Sequence, residues 1–408
     1  MKKTEKYRLP ILAIAILYFF LYNPILKPGI ALGGTILMMV SFVYMLLHFA
    51  EVERHMKNYK VGLFLGVFII LYILFICFVN GEDISEVKQL FFWLIISTIV
   101  PVFLVNEVFV RYREIAFWDL ILEAGFIASM ISCIALFYPP FNDFLRNIQV
   151  EPNVTSDALE EQLDFRSFGL AFYLTSCYGY VQGLLASLCL LRLDKEHKRY
   201  AFYFLTMFLS VVVNARTGLF PIVITLIYLI IRSVVKIKIL TLFKIAIAGT
   251  LGTFLIIQVF NKLPDVTDFF MDFIDQLSFM FVEGEVKDSY YIERLFFPNS
   301  LSSLVFGEGH DVSTAVNNSD IGFVNQVFLG GIIFAGALLL YEFIIYRKIV
   351  KWSNDFIWPT IFLLSLLVFN YKGAELQDAS SSFVRLWILY FYVLAHNQLH
   401  PEKNIKIT

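Results

Sequence analysis

The sequence predicts an all-α polytopic integral membrane protein with about twelve transmembrane helices and both termini cytoplasmic. Three observations predict it. Hydrophobic residues make up 59% of the chain and charged residues only 16%, where soluble domains carry about a quarter charged residues. Apolar runs close to the ~20 residues that span a bilayer recur along the whole length. The connections between those runs alternate between basic and short or acidic. The formal net charge of -2 matters less than this distribution, and no nucleic-acid partner is expected.

The spans read, in order, 9–26, 29–49, 61–79, 88–106, 115–138, 168–191, 199–213, 217–232, 239–260, 322–346, 355–372 and 383–397. The first run has no small-residue cleavage site and leads at once into further spans, so it reads as a helix and not as a signal peptide. Connections on one side carry Arg54, Lys57 and Lys60, then Arg111 and Arg113, then Arg192, Lys195, Lys198 and Arg199. Arg232, Lys236, Lys238 and Lys244 follow on the same side, then Arg347, Lys348 and Lys351. The opposite connections read "NGEDISE", "NARTG" and "GAELQD". Because short cytoplasmic connections concentrate Lys and Arg, the basic side is the cytoplasmic one. The four cysteines, Cys77, Cys133, Cys177 and Cys189, fall inside apolar runs and read as small core residues.

The chain reads as a single membrane domain, 1–408, with two long outer loops, 139–167 and 261–321. Long loops in membrane proteins are where recognition and chemistry are usually mounted. The second has eleven acidic residues against three basic ones, a net -8, which fits an outer placement. Within it, Asp265, Asp268, Asp272 and Asp275 recur at helical spacing opposite Phe269, Phe270, Phe273 and Leu277. This predicts an amphipathic helix on the outer membrane surface. Its aspartates read first as a solvated face.

Arg216, in "VVVNARTGLF", is the least ordinary charge. Sixteen residues separate Arg199 from Arg216 and fifteen separate Arg216 from Arg232. At about 1.5 Å per residue each helix is about 23–25 Å long, against a hydrocarbon slab of about 30 Å. The hairpin tip is therefore expected to be sunk below the outer surface. Arg216 would then stand in the first turn of the following helix, where free backbone N–H groups and the helix dipole favour an anion. A snorkelling anchor is the plainer alternative.

The second long loop ends "ERLFFPNSLSSLVFGEGHDVSTAVNNSDIGFVNQVFLGGIIFAGALLL". An Arg, then "LVFGEGH", then "SDIGF" running into a Gly-rich span, preceded upstream by the "NARTG" hairpin, resembles the Wzy-type O-antigen and capsular polysaccharide polymerase family, within the O-antigen ligase/polymerase superfamily. The resemblance covers about 200–345. It implies a glycosyltransferase in the bacterial plasma (inner) membrane, working on the periplasmic or exterior face. Its substrate would be an oligosaccharide on undecaprenyl diphosphate. The growing glycan would pass to the non-reducing end of the next lipid-linked repeat unit. Membrane lipid, a chain-length regulator and a flippase are the partners the resemblance implies.

Such a reaction needs cations that hold a departing diphosphate, a base beside the acceptor hydroxyl, and a lateral opening for the lipid tails. Arg216, Arg294 and Arg166 are the diphosphate candidates, because guanidinium makes bidentate phosphate contacts. A loop salt bridge is the alternative for Arg166 and Arg294. His310, Asp311 and Asp320 are the candidate bases. Gly307 and Gly309 permit a tight turn, and Lys372, Glu375 and Asp378 lie in a facing outer connection. No Asp-x-Asp pair and no metal-ligand motif are read, only Glu283-x-Glu285, so no metal and no cofactor are expected. A ligase using another acceptor has the same site chemistry. A lipid-linked oligosaccharide flippase or other transporter is the non-enzyme alternative. It should bury charges mid-span, where the sequence reads nearly charge-free apart from Glu123.

Overall fold

Pro10 opens the first helix, α1 (Ile11–Tyr22), which stops after twelve residues because Asn23 takes a left-handed conformation (φ 42°, ψ 53°) and Pro24 cannot continue it. The computed structural model describes residues 10–27, 29–149, 169–171, 177–193, 198–235, 294–312, 319–378 and 381–408, with isolated positions 247, 250, 254, 257 and 258; at 58, 177, 198 and 216 the description is of the backbone. Beyond α1 a two-residue antiparallel pair, β1 (Ile25–Leu26) with β2 (Ile30–Ala31), turns the chain back. Leu26 also bridges to Gln149. Helix α2 (Leu32–Leu47) follows, and at His48 the axis turns by 101°.

The next element, α3 (Phe49–Asn80), is a single helix of 32 residues. The span predicted at 61–79 is its second part. Gly81 ends it in the left-handed region (φ 72°), as glycine does most cheaply. Helix α4 (Ser85–Phe109) is irregular at Thr98 and in a π-turn at Val105–Phe109. Helix α5 (Phe117–Phe137) falls where 115–138 was predicted. Three shorter helices follow the first long loop: α7 (Cys177–Arg192), α8 (Lys198–Asn214) and α9 (Leu219–Val235). The last long helices are α11 (Gly322–Ser353), α12 (Ile357–Lys372) and α13 (Ser382–Leu399).

The centre of the bundle is α13, in which every residue from Ser382 to His396 is buried. A helix apolar on all sides belongs inside protein or lipid, and here it is wrapped by protein. Aromatic rings pack its flanks: Trp387 stacks on Phe362 at 4.4 Å, and Tyr390 lies 4.7 Å from Trp118. The outward surface is the reverse of a soluble protein's. Phe64, Phe75, Phe78, Leu12, Leu47 and Val235 are all exposed, which water would penalise and hydrocarbon does not.

Among the described residues four helices are long and apolar enough to cross a membrane: Tyr59–Asn80, Ser85–Phe109, Phe117–Phe137 and Gly322–Ser353. The bent pair Leu32–Leu47 and Phe49–Lys57 makes a fifth if counted as one span. The protein is an all-α membrane protein.

The structure adds detail to the first long loop: Pro139–Ile148 forms an amphipathic helix, α6, with Leu145 buried and Phe144 exposed. The amphipathic helix expected in the second loop, and most of the span at 239–260, lie outside the described residues. The interior is not free of charge. Glu342, in the second half of α11, is 1% exposed, with the Trp387 indole set against its carboxylate. Arg385, one turn into α13, is 3% exposed and donates to Phe20 O at 2.7 Å. Hydropathy averages hid both, because each sits in an otherwise unbroken apolar run.

Candidate functional site

The "NARTG" tip is inserted into the bundle. Helix α8 ends at Asn214, a 3-10 turn spans Arg216–Gly218, and α9 begins at Leu219. Asn214 is fully buried and Ala215 nearly so. Two glycines of α7, Gly179 and Gly183, four residues apart on one face, receive the tip. A Cβ on Gly179 would lie 2.3 Å from Ala215 Cβ, and one on Gly183 would lie 1.8 Å from Gly218 O. Small residues at this spacing let helix backbones meet.

A ladder of buried hydroxyls runs up to the tip: Tyr178 Oη to Ser210 Oγ at 2.8 Å, Ser210 to Ser132 at 3.3 Å, and Asn214 Nδ2 to Ser132 at 3.2 Å. Gly169, in left-handed conformation, packs on Ile131 and Ser132 and accepts from Gln149 Nε2 at 2.8 Å. The end of the first long loop thus reaches the neighbourhood of the tip. Of the three candidate arginines, Arg166 lies outside the described residues, and the description of Arg216 stops at its backbone.

The "LVFGEGH" turn docks on a break in α11. Inside that helix Gly330 (φ -145°, ψ 19°) and Gly331 (φ 68°, ψ -172°) leave helical geometry, as permitted only where neighbours take up the freed backbone groups. The turn does so. The short helix α10 (Leu301–Phe306) ends at Gly307 (φ 85°). Glu308 N then donates to Phe328 O at 2.6 Å and Gly309 N to Leu329 O at 3.1 Å. Tyr72 Oη donates to both Phe306 O and Gly330 O, each at 3.0 Å. The two backbones are so close that a Cβ on Gly307 would lie 2.5 Å from Gly330 Cα, and one on Gly331 would lie 2.1 Å from Val305 O.

This docking gathers the remaining candidates around the first turns of α11. Asn325 is the organiser: its Oδ1 accepts from Val312 N at 3.3 Å, and its Nδ2 donates to Ser319 O at 2.9 Å. Ser319 Oγ in turn donates to Arg294 O at 2.8 Å. Arg294 Nη1 lies 3.5 Å from Asp320 Oδ1, both partly exposed, so the loop salt bridge anticipated as the alternative for Arg294 is present. His310 sits between Glu82 (Nδ1 to Oε1, 3.7 Å) and Glu308 (Nε2 to Oε2, 3.8 Å). Those separations are too long for hydrogen bonds, and His310 Nδ1 has none. Asp311, Asp378 and Asp83 act electrostatically on Glu86. Glu375 is 3% exposed and accepts from Ser381 Oγ at 2.6 Å.

The tip and this loop corner occupy the same end of the bundle, on two sides of the end of α12. Phe369 stacks on Tyr180 at 3.9 Å, beside the glycines that hold the tip. The next residue, Asn370, exchanges amide hydrogen bonds with Gln326 of α11 at 3.0 and 3.1 Å, and the α12 terminus packs on Gly322. Sequence reading missed Glu82, Asn325, Gln326 and Asn370. Amides inside apolar runs were the available signal for the last three, since a buried amide needs a partner.

The opposite end is built from close charge pairs. Asp119 receives Arg192 at 3.1 Å, Arg199 at 2.9 Å and the Tyr200 hydroxyl at 2.7 Å. Glu123 accepts from Tyr203 at 2.5 Å and lies 4.0 Å from Arg199. Phe117 N donates to Lys406 O, and Lys406 N to Arg113 O. Two clefts, of about 480 and 370 Å³, lie here around the C-terminal tail and not beside the loop-end candidates.

The reading that the chain has no metal-ligand motif needs correction. His396 and His400 stand in His-x-x-x-His spacing, a motif the sequence reading passed over, and the fold adds His55. Among the described residues these three make the group of metal-ligating side chains close enough to share an ion. No family model matches the chain, and no curated protein matches its sequence. The family resemblance stands on the quoted motifs alone.

Proposed function

We propose that this protein is a polysaccharide polymerase of the Wzy type, with twelve spans, cytoplasmic termini and its site on the outer face. Clustering of Arg113, Arg192, Arg199 and Lys406 at one end, and of Glu82, Asp83, Glu308, Asp311 and Asp378 at the other, supports that orientation under the positive-inside rule. The observation that carries the reading is the convergence of the tip at 214–218, the turn at 307–312 and the start of α11 on one end of the bundle.

In the proposed reaction Arg216, with Arg294 and Arg166, holds the diphosphate of the donor. The bond between the sugar anomeric carbon and the phosphate oxygen breaks as a bond from that carbon to the acceptor hydroxyl oxygen forms. Undecaprenyl diphosphate leaves with the bonding pair, its charge met by guanidinium groups. The acceptor proton passes to a base. Of His310, Asp311 and Asp320, His310 is the best supported, because its ring is partly exposed and stands 3.7–3.8 Å from two carboxylates while Asp320 faces Arg294. An imidazole beside carboxylates can take up that proton.

A second reading, a lipid-linked oligosaccharide flippase, is favoured by the carboxylate of Glu342 buried in the bundle interior without a basic partner among the described residues. The test for both reconstitutes the full chain in vesicles with its lipid-linked repeat unit and no nucleotide sugar. A ladder of products supports the polymerase. Transfer of one unit to a different acceptor supports a ligase. Movement of the lipid-linked unit between leaflets without bond formation supports the flippase, and no transfer sinks both enzyme readings.

A further inference from the structure

Three histidines far apart in the chain meet at the basic end of the bundle. His55 lies in the first third of α3, His396 in the last turn of α13, and His400 just beyond it. His55 is 0% and His396 2% exposed, and the His400 side chain is 14% exposed. The His55 and His396 rings are stacked 5.6 Å apart at 13°, and His400 lies 4.9 Å from His396 and 6.0 Å from His55. One nitrogen of each lies within 4.8 Å of the others.

The hydrogen-bond pattern turns the lone pair of His55 inward. Glu51 O can only accept, so His55 Nδ1, at 3.0 Å, carries the proton. That leaves His55 Nε2 as the acceptor of a hydrogen bond from His396 Nδ1 at 3.3 Å, and an ion bound between them takes the place of that shared proton. Glu402 stands 3.5 Å from His400 Nδ1, and His400 Nε2 has no partner. The buried His396 Nε2 has none either. A backbone carbonyl or carboxylate on the far ring nitrogen is the arrangement that orients metal-bound histidine. Zn–N bonds of 2.0–2.1 Å place two nitrogens of a tetrahedral site about 3.3–3.4 Å apart, the separation found between His55 and His396. Arg54 and Lys403 oppose a cation here, while Glu51 and Glu402 offset them.

We infer that His55, His396 and His400 form a binding site for one divalent transition-metal ion of the imidazole-preferring class, zinc foremost. The ion staples the start of α3 to the end of α13 and to the tail that reaches Arg113 and Phe117. Three neutral imidazoles leave a fourth position for water. The site is independent of the proposed glycosyl transfer and lies at the other end of α3 from His310.

The test uses the full chain in detergent, purified through a tag without histidine and stripped with a chelator. Zn²⁺ is titrated in competition with a chromogenic chelator, and Co²⁺ binding is read in the visible spectrum. The expected result is about one ion per chain, tetrahedral Co²⁺ bands, and a Tm that rises on adding Zn²⁺. His55→Ala, His396→Ala and His400→Ala each weaken binding at least ~100-fold, and His48→Ala does not. Sub-stoichiometric binding by the native chain overturns the inference without reliance on any variant. Unchanged affinity in the triple variant overturns it as well.

Discussion

The two ends of this bundle are held together by different physics. At the basic end, side chains close the structure: Arg192 and Arg199 converge on Asp119 at 3.1 and 2.9 Å with a tyrosine hydroxyl on the same carboxylate. At the loop end, backbones close it. Gly307 meets Gly330, Gly331 meets Val305, and Gly183 meets Gly218. The charged side chains there are left loosely paired, at 3.5 to 3.8 Å. Charges spent on one another are poor ligands, whereas charges on a scaffold fixed by backbone contact remain available to a substrate. The difference favours the loop end as the place for the proposed chemistry.

The strongest way to break that comparison is Gly331→Ala. Its positive φ and the 2.1 Å approach to Val305 O forbid a Cβ without undocking the 307–309 turn. A loss of about 3 kcal/mol or more is expected, read as a collapse of thermal stability in detergent. Asp119→Asn attacks the other end. Arg192 is 6% exposed at its side chain, and leaving that charge uncompensated is expected to cost about 3 kcal/mol in the same measurement.

Arg216→Lys sharpens the functional side. If a guanidinium holds the diphosphate, initial rates of product-ladder formation fall about 100-fold with little change in Tm. Full retained activity removes Arg216 from that role. Arg199→Ala should be mild, at most about 1 kcal/mol, because the side chain is 41% exposed. Gly336→Ala, in the same helix as Gly331, meets nothing within 4 Å. It should be neutral or stabilise by up to ~1 kcal/mol through helix propensity. A Gly336→Ala loss as large as that of Gly331→Ala would show that helix composition, not docking, sets stability there.

Much of the helical framework is legible in the sequence. Phe117–Phe137, Lys198–Asn214 and Ile357–Lys372 fall within a few residues of runs 115–138, 199–213 and 355–372. Apolar length with polar ends is a local property, so local reading finds it. The irregularities are not local. The early stop of α1 at Asn23 falls inside the run read as 9–26, and the 101° corner at His48 falls where the run 29–49 gives way to a charged stretch, read as a connection, that continues as helix. The break at Gly330–Gly331 exists because the 307–309 turn supplies the missing hydrogen bonds. For the site, "NARTG", Arg294, Asp320 and His310 were visible as motif residues. Asn325, which ties three of those segments together, looked like one more amide near a helix start.

By itself the sequence determined that this chain is an all-α membrane protein and where the apolar helices lie. Hydrocarbon leaves the backbone of such runs no option but helix. Only the tertiary structure decided which polar groups meet across the bundle. His55 finds His396 and His400 because α3 and α13 pack side by side. Gly307 rests on Gly330 because α11 is open at that point. Glu342 is enclosed because α11 turns that face inward. Each pairing joins residues separated by many turns of chain, and its partner is chosen by packing, which leaves no periodic trace in the sequence.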